Sequence, residues 1–222
     1  MFLFVKRVDG QVSLVNWKLS LKPGLHEFPS GTFGSVSELI HPGEVRERDT
    51  LVIACSEQGA APDNISFATP NRCVILQNLA ATMPSHSDCQ RHEGLCCDDI
   101  EKLFDRYEFR HVIVCGHLDC GVIRNWLRPI KEGHTDIGNF RQRFESGTRD
   151  LVDQNYQPAN EEQRYTLKIC EHVLCQIENL LTHPFVADRI RAKTMSLYGW
   201  VVDDESARVM AYSSQESTFV PI

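Results

Sequence analysis

Two short apolar runs, Thr50-Leu51-Val52-Ile53-Ala54 and His111-Val112-Ile113-Val114, limit the folds open to this chain more than any other feature. Neither alternates apolar with polar residues, so each is expected to bury both faces, as the central strands of a parallel sheet do. A third run, Cys73-Val74-Ile75-Leu76, follows Pro70-Asn71 and ends at Gln77-Asn78. Between Gly94 and Phe109 the residues Ile100, Leu103, Phe104 and Tyr107 fall at helical spacing, with Asp98 and Asp99 near the N-terminus. A long helix is expected over Glu161 to Leu181, with Ile169, Val173, Ile177 and Leu180 as its buried stripe. Pro184 ends it, Phe185 to Arg191 forms a short helix, and Ser196 to Val202 reads as a strand. Asp203-Asp204-Glu205-Ser206 then turns the chain into Ala207 to Tyr212. The expected fold is α/β: a mainly parallel central β-sheet flanked by helices, with an antiparallel edge strand.

The first 49 residues read differently. Residues 2 to 17 alternate around Asp9-Gly10, a dipeptide that takes positive φ readily, which predicts a β-hairpin. From Lys22 to Gly43 the chain is rich in Pro, Gly and Ser, a wrapping segment with one helical turn at Ser35 to Ile40. After Gly121, Val122 to Leu127 starts a helix, residues 137–152 are charged and amphipathic, and 153–160 form a polar link. At 222 residues the chain suits one domain with an appendage, divided here into an atypical segment 1–49 and a main domain 50–222.

A net charge of −7 without a block of Lys or Arg argues against nucleic acid or membrane as the main partner. No run approaches the roughly 18 apolar residues of a membrane span, and Lys6 and Arg7 interrupt the apolar start, so a soluble cytoplasmic protein is expected. The nine cysteines are an odd number, and Cys73, Cys115, Cys170 and Cys175 sit in apolar runs where a reduced thiol serves as a small hydrophobe. A disulfide framework is not expected, while Cys89, Cys96 and Cys97 lie in a polar stretch that leaves their state open. The adjacent pair Cys96-Cys97 lacks the Cys-x-x-Cys spacing of a thiol redox protein.

Chemistry concentrates where the 111–114 strand ends, in Cys115-Gly116-His117-Leu118-Asp119-Cys120-Gly121. His117 and Cys120 are both good zinc ligands, and one turn can present both to one ion. Such a pair alone serves packing more often than metal, because zinc needs further ligands. Asp119 is expected to bond local backbone. His172 and His183, on or beside the long helix, read as surface or capping residues, and His86 and His92 lie in a loop without ligand spacing.

Ala54-Cys55-Ser56, the stretch from Pro70 through Asn78-Leu79-Ala80 to Pro84, and Cys115 to Gly121 resemble, in order and spacing, the core of the β-class carbonic anhydrases. His183-Pro184-Phe185-Val186-Ala187-Asp188-Arg189 and Leu197-Tyr198-Gly199-Trp200-Val201-Val202-Asp203 resemble the family's final helix and sheet edge, so the likeness covers roughly residues 50–212. The resemblance implies that Cys55 joins His117 and Cys120 around Zn²⁺, a ligand set that tetrahedral zinc accepts. It also implies a homodimer or dimer of dimers, although the family's long N-terminal helices have no match in residues 1–49.

One motif departs from the family. Its first ligand opens Cys-x-Asp-x-Arg, an aspartate–arginine dyad, where this chain reads Cys55-Ser56-Glu57-Gln58-Gly59. Thr69 stands where many relatives place a Gln, and Gln77-Asn78 where they place Arg-Asn. Glu57, the candidate catalytic residue, has three possible fates: fourth zinc ligand, solvent-facing, or orienting the nucleophile with another donor replacing the Arg. The resemblance implies reversible hydration of CO2 to bicarbonate by zinc-bound hydroxide, with weakened or altered activity. The alternatives are a zinc-binding non-catalytic structural or assembly module, and a relative acting on CS2 or COS.

Overall fold

The computed structural model describes residues 3–8, 11–16, 21–40, 46–57, 71–91, 97–126, 148, 150–206 and 208–222. A sheet of six strands carries the architecture: β3 (Thr50–Cys55), β4 (Cys73–Asn78), β5 (His111–His117), β6 (Ser196–Asp203), β7 (Arg208–Ser213) and β8 (Thr218–Pro221), in the spatial order β4-β3-β5-β6-β7-β8. Pairing is parallel from β4 to β6 and antiparallel through β7 and β8. The α/β class and mainly parallel sheet are as expected, but the antiparallel edge has two strands rather than one. The short run Thr218-Phe219-Val220-Pro221 carries little pattern of its own and becomes a strand by pairing with β7. Strands β1 (Leu3–Val8) and β2 (Gln11–Asn16) form a separate antiparallel hairpin. Asp9-Gly10, Gly59, Thr69, His92, Cys96 and residues 137–147 lie outside the described residues.

Burial on both faces explains why the central strands do not alternate. Leu51, Ile53 and Cys55 join Val112 and Val114 in one apolar cluster, while Val52, Ala54, Ile113 and Cys115 join Tyr198 and Trp200 in another. Successive side chains point to opposite faces of a strand, so a strand covered on both sides must be apolar throughout. Leu39 of α1 (Val36–Ile40) contributes to the second cluster. Further short helices are α2 (His86–Arg91), α3 (Cys97–Arg106) and α4 (Gly121–Trp126), and residues 150–155 are also helical, so the expected polar link begins after them.

The first face is covered by α5 (Glu161–Leu181), whose residues Ile169, Val173, Ile177 and Leu180 are buried. Asn160 caps it, its side chain accepting from Gln163 N at 2.8 Å. Two glycines let this helix approach the sheet. A Cβ on Gly116 would stand 2.8 Å from Val173 Cγ2, and one on Gly199 3.0 Å from Ile177 Cδ1. Helix α6 (Pro184–Arg191) follows, with proline in its first turn where the missing N–H costs nothing.

His172 and His183 correct the expectation of surface positions: both are buried. Each bonds a carbonyl of the segment leading from β4 into α2, His172 Nε2 to Ala80 O at 3.0 Å and His183 Nε2 to Pro84 O at 2.9 Å. Packing of helix against loop thus leaves room for an imidazole where the helical pattern alone shows a polar residue. His183 also occupies the N-cap position of α6, without a side-chain cap bond.

At the opposite end of the strands, Asp49 Oδ1 accepts from Arg72 Nε at 2.8 Å and from Thr50 Oγ1 at 2.8 Å, while Arg72 Nη1 donates to Leu39 O. This buried pair ties α1, β3 and the start of β4 together. The wrapping segment 21–40 docks beside β6 through a parallel bridge between Phe33 and Leu197. Cys55, Cys73, Cys115, Cys120, Cys170 and Cys175 are in no disulfide, whereas Cys89 is disulfide-bonded. No helix among the described residues is long and apolar enough to cross a membrane.

Candidate metal centre

Parallel pairing brings the ends of β3 and β5 side by side. Ala54 lies opposite Cys115, so Cys55 closes β3 beside the last residues of β5, and β5 delivers His117. Asp119, with φ of 62°, turns the chain so that Cys120 returns to the same place. The donor atoms of Cys55, His117 and Cys120 lie within 4.8 Å of one another, all three residues are buried, and the two sulfurs are 3.8 Å apart. The histidine and cysteine of the local motif therefore meet the cysteine that the family likeness implied.

Asp204 sets the imidazole. Nδ1 of His117 donates to Asp204 Oδ2 at 2.9 Å, which leaves Nε2, buried and without a hydrogen-bond partner, as the free nitrogen. A carboxylate that accepts from one nitrogen fixes the tautomer and raises the basicity of the other, the usual support for a metal-binding histidine. Burial works against a charged His117, but the bond to Asp204 and the nearby Cys55 outweigh it and raise its pKa from 6.5 to about 9. Donation from Cys120 lowers the pKa of Cys55 to about 4 against the effect of burial, and the same contact together with burial raises that of Cys120. Two buried sulfurs 3.8 Å apart beside an orphan imidazole nitrogen are a donor set suited to a thiophilic dication.

Glu57 lies apart from this trio. Its Oε2 accepts from the backbone N of Val122, in the first turn of α4, at 2.9 Å, and its own backbone N donates to Cys55 Sγ at 3.4 Å. The carboxylate rests against Gly121, where an added Cβ would meet Oε2 at 2.9 Å. Glu57 is exposed, and the hydrogen bond of its carboxylate is to the Val122 amide. Asp119 pairs with a side chain, its Oδ1 accepting from Arg124 Nη2 at 2.7 Å. The hydroxyl of Tyr165 on α5 donates to the carbonyl of Cys120, anchoring the ligand loop to the long helix.

Asp204 was not foreseen as a functional residue, because it reads as part of a turn. The signal lay in the strand order: His117 pairs with Val202, which puts a carboxylate two residues further on beside the imidazole.

Fold and site together define an α/β protein with a possible metal site of two cysteines and one histidine at the C-terminal ends of neighbouring parallel strands. The family model described as "Carbonic anhydrase" matches residues 50–209, and the chain belongs to the β-carbonic anhydrase family. A carbonic anhydrase of Synechocystis is 27% identical over 200 residues, covering 89% of this chain and 72% of that protein. One from Pseudomonas aeruginosa is 23% identical, covering 90% and 89%. In three dimensions the β-carbonic anhydrase CcaA superposes with a TM-score of 0.69 at 24% identity, over 80% of this chain and 85% of the other.

Proposed function

We propose that this protein is a zinc-dependent carbonic anhydrase of reduced activity. Cys55, His117 and Cys120 would hold the ion. The observation that carries the reading is the buried trio with an orphan His117 Nε2, while the Glu57 carboxylate is engaged by Val122. That arrangement favours three protein ligands and an open fourth position, the pattern of catalytic rather than structural zinc. When bound, zinc supplies a Lewis acid that brings the pKa of a water near neutrality and so provides the nucleophile for CO2.

The chain's own groups do the rest. Asp204 holds His117 in the tautomer that leaves Nε2 free, and Tyr165 fixes the loop that carries Cys120. Glu57, its carboxylate held by the Val122 amide where the family has an arginine, would serve as the catalytic acceptor. A glutamate is one methylene longer than the aspartate it replaces, and catalytic groups must be placed within about 0.5 Å, which accounts for weakened turnover.

The family relationship supports CO2 as substrate and bicarbonate as product. A homodimer or dimer of dimers is part of the proposal: the solved Sordaria macrospora β-carbonic anhydrases are described as tetrameric, and Ile75 and Leu79 are exposed apolar residues on and just after strand β4, at the sheet edge. Stopped-flow CO2 hydration with a pH indicator tests the activity. Zinc-loaded protein is expected to exceed the buffer rate, and E57Q to fall below wild type. A buffer rate at full zinc occupancy would assign the chain to the zinc-binding structural module instead.

A further inference from the structure

A second group of donors lies where the wrapping segment crosses α5. Glu171, Cys175 and Glu178 are spaced i, i+4 and i+7, so one stripe of the helix presents all three. From the segment 21–40, His26 inserts against them with only 6% of its side chain exposed. The donor atoms of His26, Cys175 and Glu178 lie within 4.8 Å of one another.

The bonds around His26 decide which nitrogen is available. Nε2 lies 2.5 Å from Oε2 of the fully buried Glu171 and donates to it. The other oxygen of Glu171 accepts from the hydroxyl of Tyr156, which itself accepts from Lys22 N at 2.9 Å. Glu171 is thereby fully used in holding the imidazole. Nδ1 is buried and forms an ion pair with Oε1 of Glu178 at 3.0 Å, outside hydrogen-bond geometry. A nitrogen and an oxygen this close, without hydrogen-bond geometry and beside a sulfur, are placed as two ligands of one ion are placed.

We propose that His26 Nδ1, Cys175 Sγ and Glu178 Oε1 form a second zinc site, which clamps the wrapping segment to α5. Imidazole, thiolate and carboxylate are the three ligand types of zinc. Glu171 supplies the carboxylate that orients a ligating histidine through its far nitrogen. Glu178 is 38% exposed on its side chain, so the site opens to solvent on one side, which gives the ion an entry path and a place for water as fourth ligand.

The test is zinc stoichiometry by mass spectrometry on full-length protein loaded with zinc and dialysed against metal-free buffer. Wild type is expected to retain two equivalents per chain. C175S and E178Q each retain one, and C120S also retains one, lost from the strand-end site. Substitution with Co²⁺ adds a second reading: thiolate-to-cobalt absorption from the helix site persists in C120S and disappears in a C120S/C175S double variant relative to C120S alone. Because Glu178 is partly exposed, E178Q decides the matter if circular dichroism shows C175S misfolded. Equal zinc in wild type, C175S and E178Q would overturn the second site; Nδ1 would then carry a proton shared with Glu178. Failure of the strand-end reading looks different: C120S would retain as much zinc as wild type, whatever C175S does.

Discussion

At the ends of β3 and β5, and again where segment 21–40 crosses α5, a buried imidazole gives one nitrogen to a carboxylate and lies with a cysteine close by. His117 leans on Asp204 and His26 on Glu171. Burial disfavours charge on both rings, and in both the acidic partners prevail, raising the pKa to about 9. The mechanical setting differs. Cys55 and His117 end two directly paired parallel strands, so their separation is fixed by the sheet. His26 belongs to no strand or helix, and its distance from Cys175 depends on how the wrapping segment docks. If both proposals hold, one imidazole–carboxylate arrangement would suit two ends: on a rigid frame it would position an ion for chemistry, and between a strap and a helix it would let an ion act as a tether.

The largest expected effect comes from removing a strand-end ligand. C120S should abolish zinc binding there and lower CO2 hydration by roughly 10³-fold or more, the size of a metal contribution of several kcal/mol. Stopped-flow rates and zinc content measured together check this. D204N leaves the ligands in place but frees the ring of His117; a loss of about 10- to 100-fold in zinc affinity or activity is expected. Competition with a chelator reads the affinity, and unchanged affinity and rate would break the parallel between Asp204 and Glu171.

A smaller change tests Glu57 without altering its chemistry. In G121A the added Cβ would meet Oε2 at 2.9 Å and displace the carboxylate from Val122. Loss of one such hydrogen bond is worth about 1 kcal/mol, so kcat should fall roughly fivefold with zinc content unchanged. The smallest effect concerns stability away from both clusters. Burial lowers the pKa of His111 from 6.5 to about 4, so between these values the unfolded chain binds the proton and the folded chain does not. His111 therefore contributes stability above pH 6.5 that is lost as pH falls toward 4. Denaturant titrations should show a shallower decline over that window for H111Q than for wild type.

How much of this could be read from sequence follows from the range of each signal. The central strands, α5 and its buried stripe rest on local apolar pattern, and they occur where the pattern put them. Strand β8 was invisible, because four residues owe their conformation to pairing with β7. In the strand-end site His117 and Cys120 were legible as a local motif, whereas Cys55 entered only through family likeness. Asp204 required knowledge of strand order. The helix cluster was hidden more deeply: the spacing of Glu171, Cys175 and Glu178 is visible on a helical repeat, but its histidine lies 145 residues from Glu171 in the chain. Nothing in the composition of the wrapping segment connects His26 to α5, and burial alone brings them together.

A crystal structure of the zinc-loaded protein, with the metal located by anomalous scattering, tests the central claim most directly. The account expects zinc bonded to Cys55 and Cys120 sulfurs at about 2.3 Å and to His117 Nε2 at about 2.0–2.1 Å, with Glu57 still on the Val122 amide. A Glu57 carboxylate oxygen at about 2.0–2.2 Å from the ion, or no zinc at the trio, would contradict it.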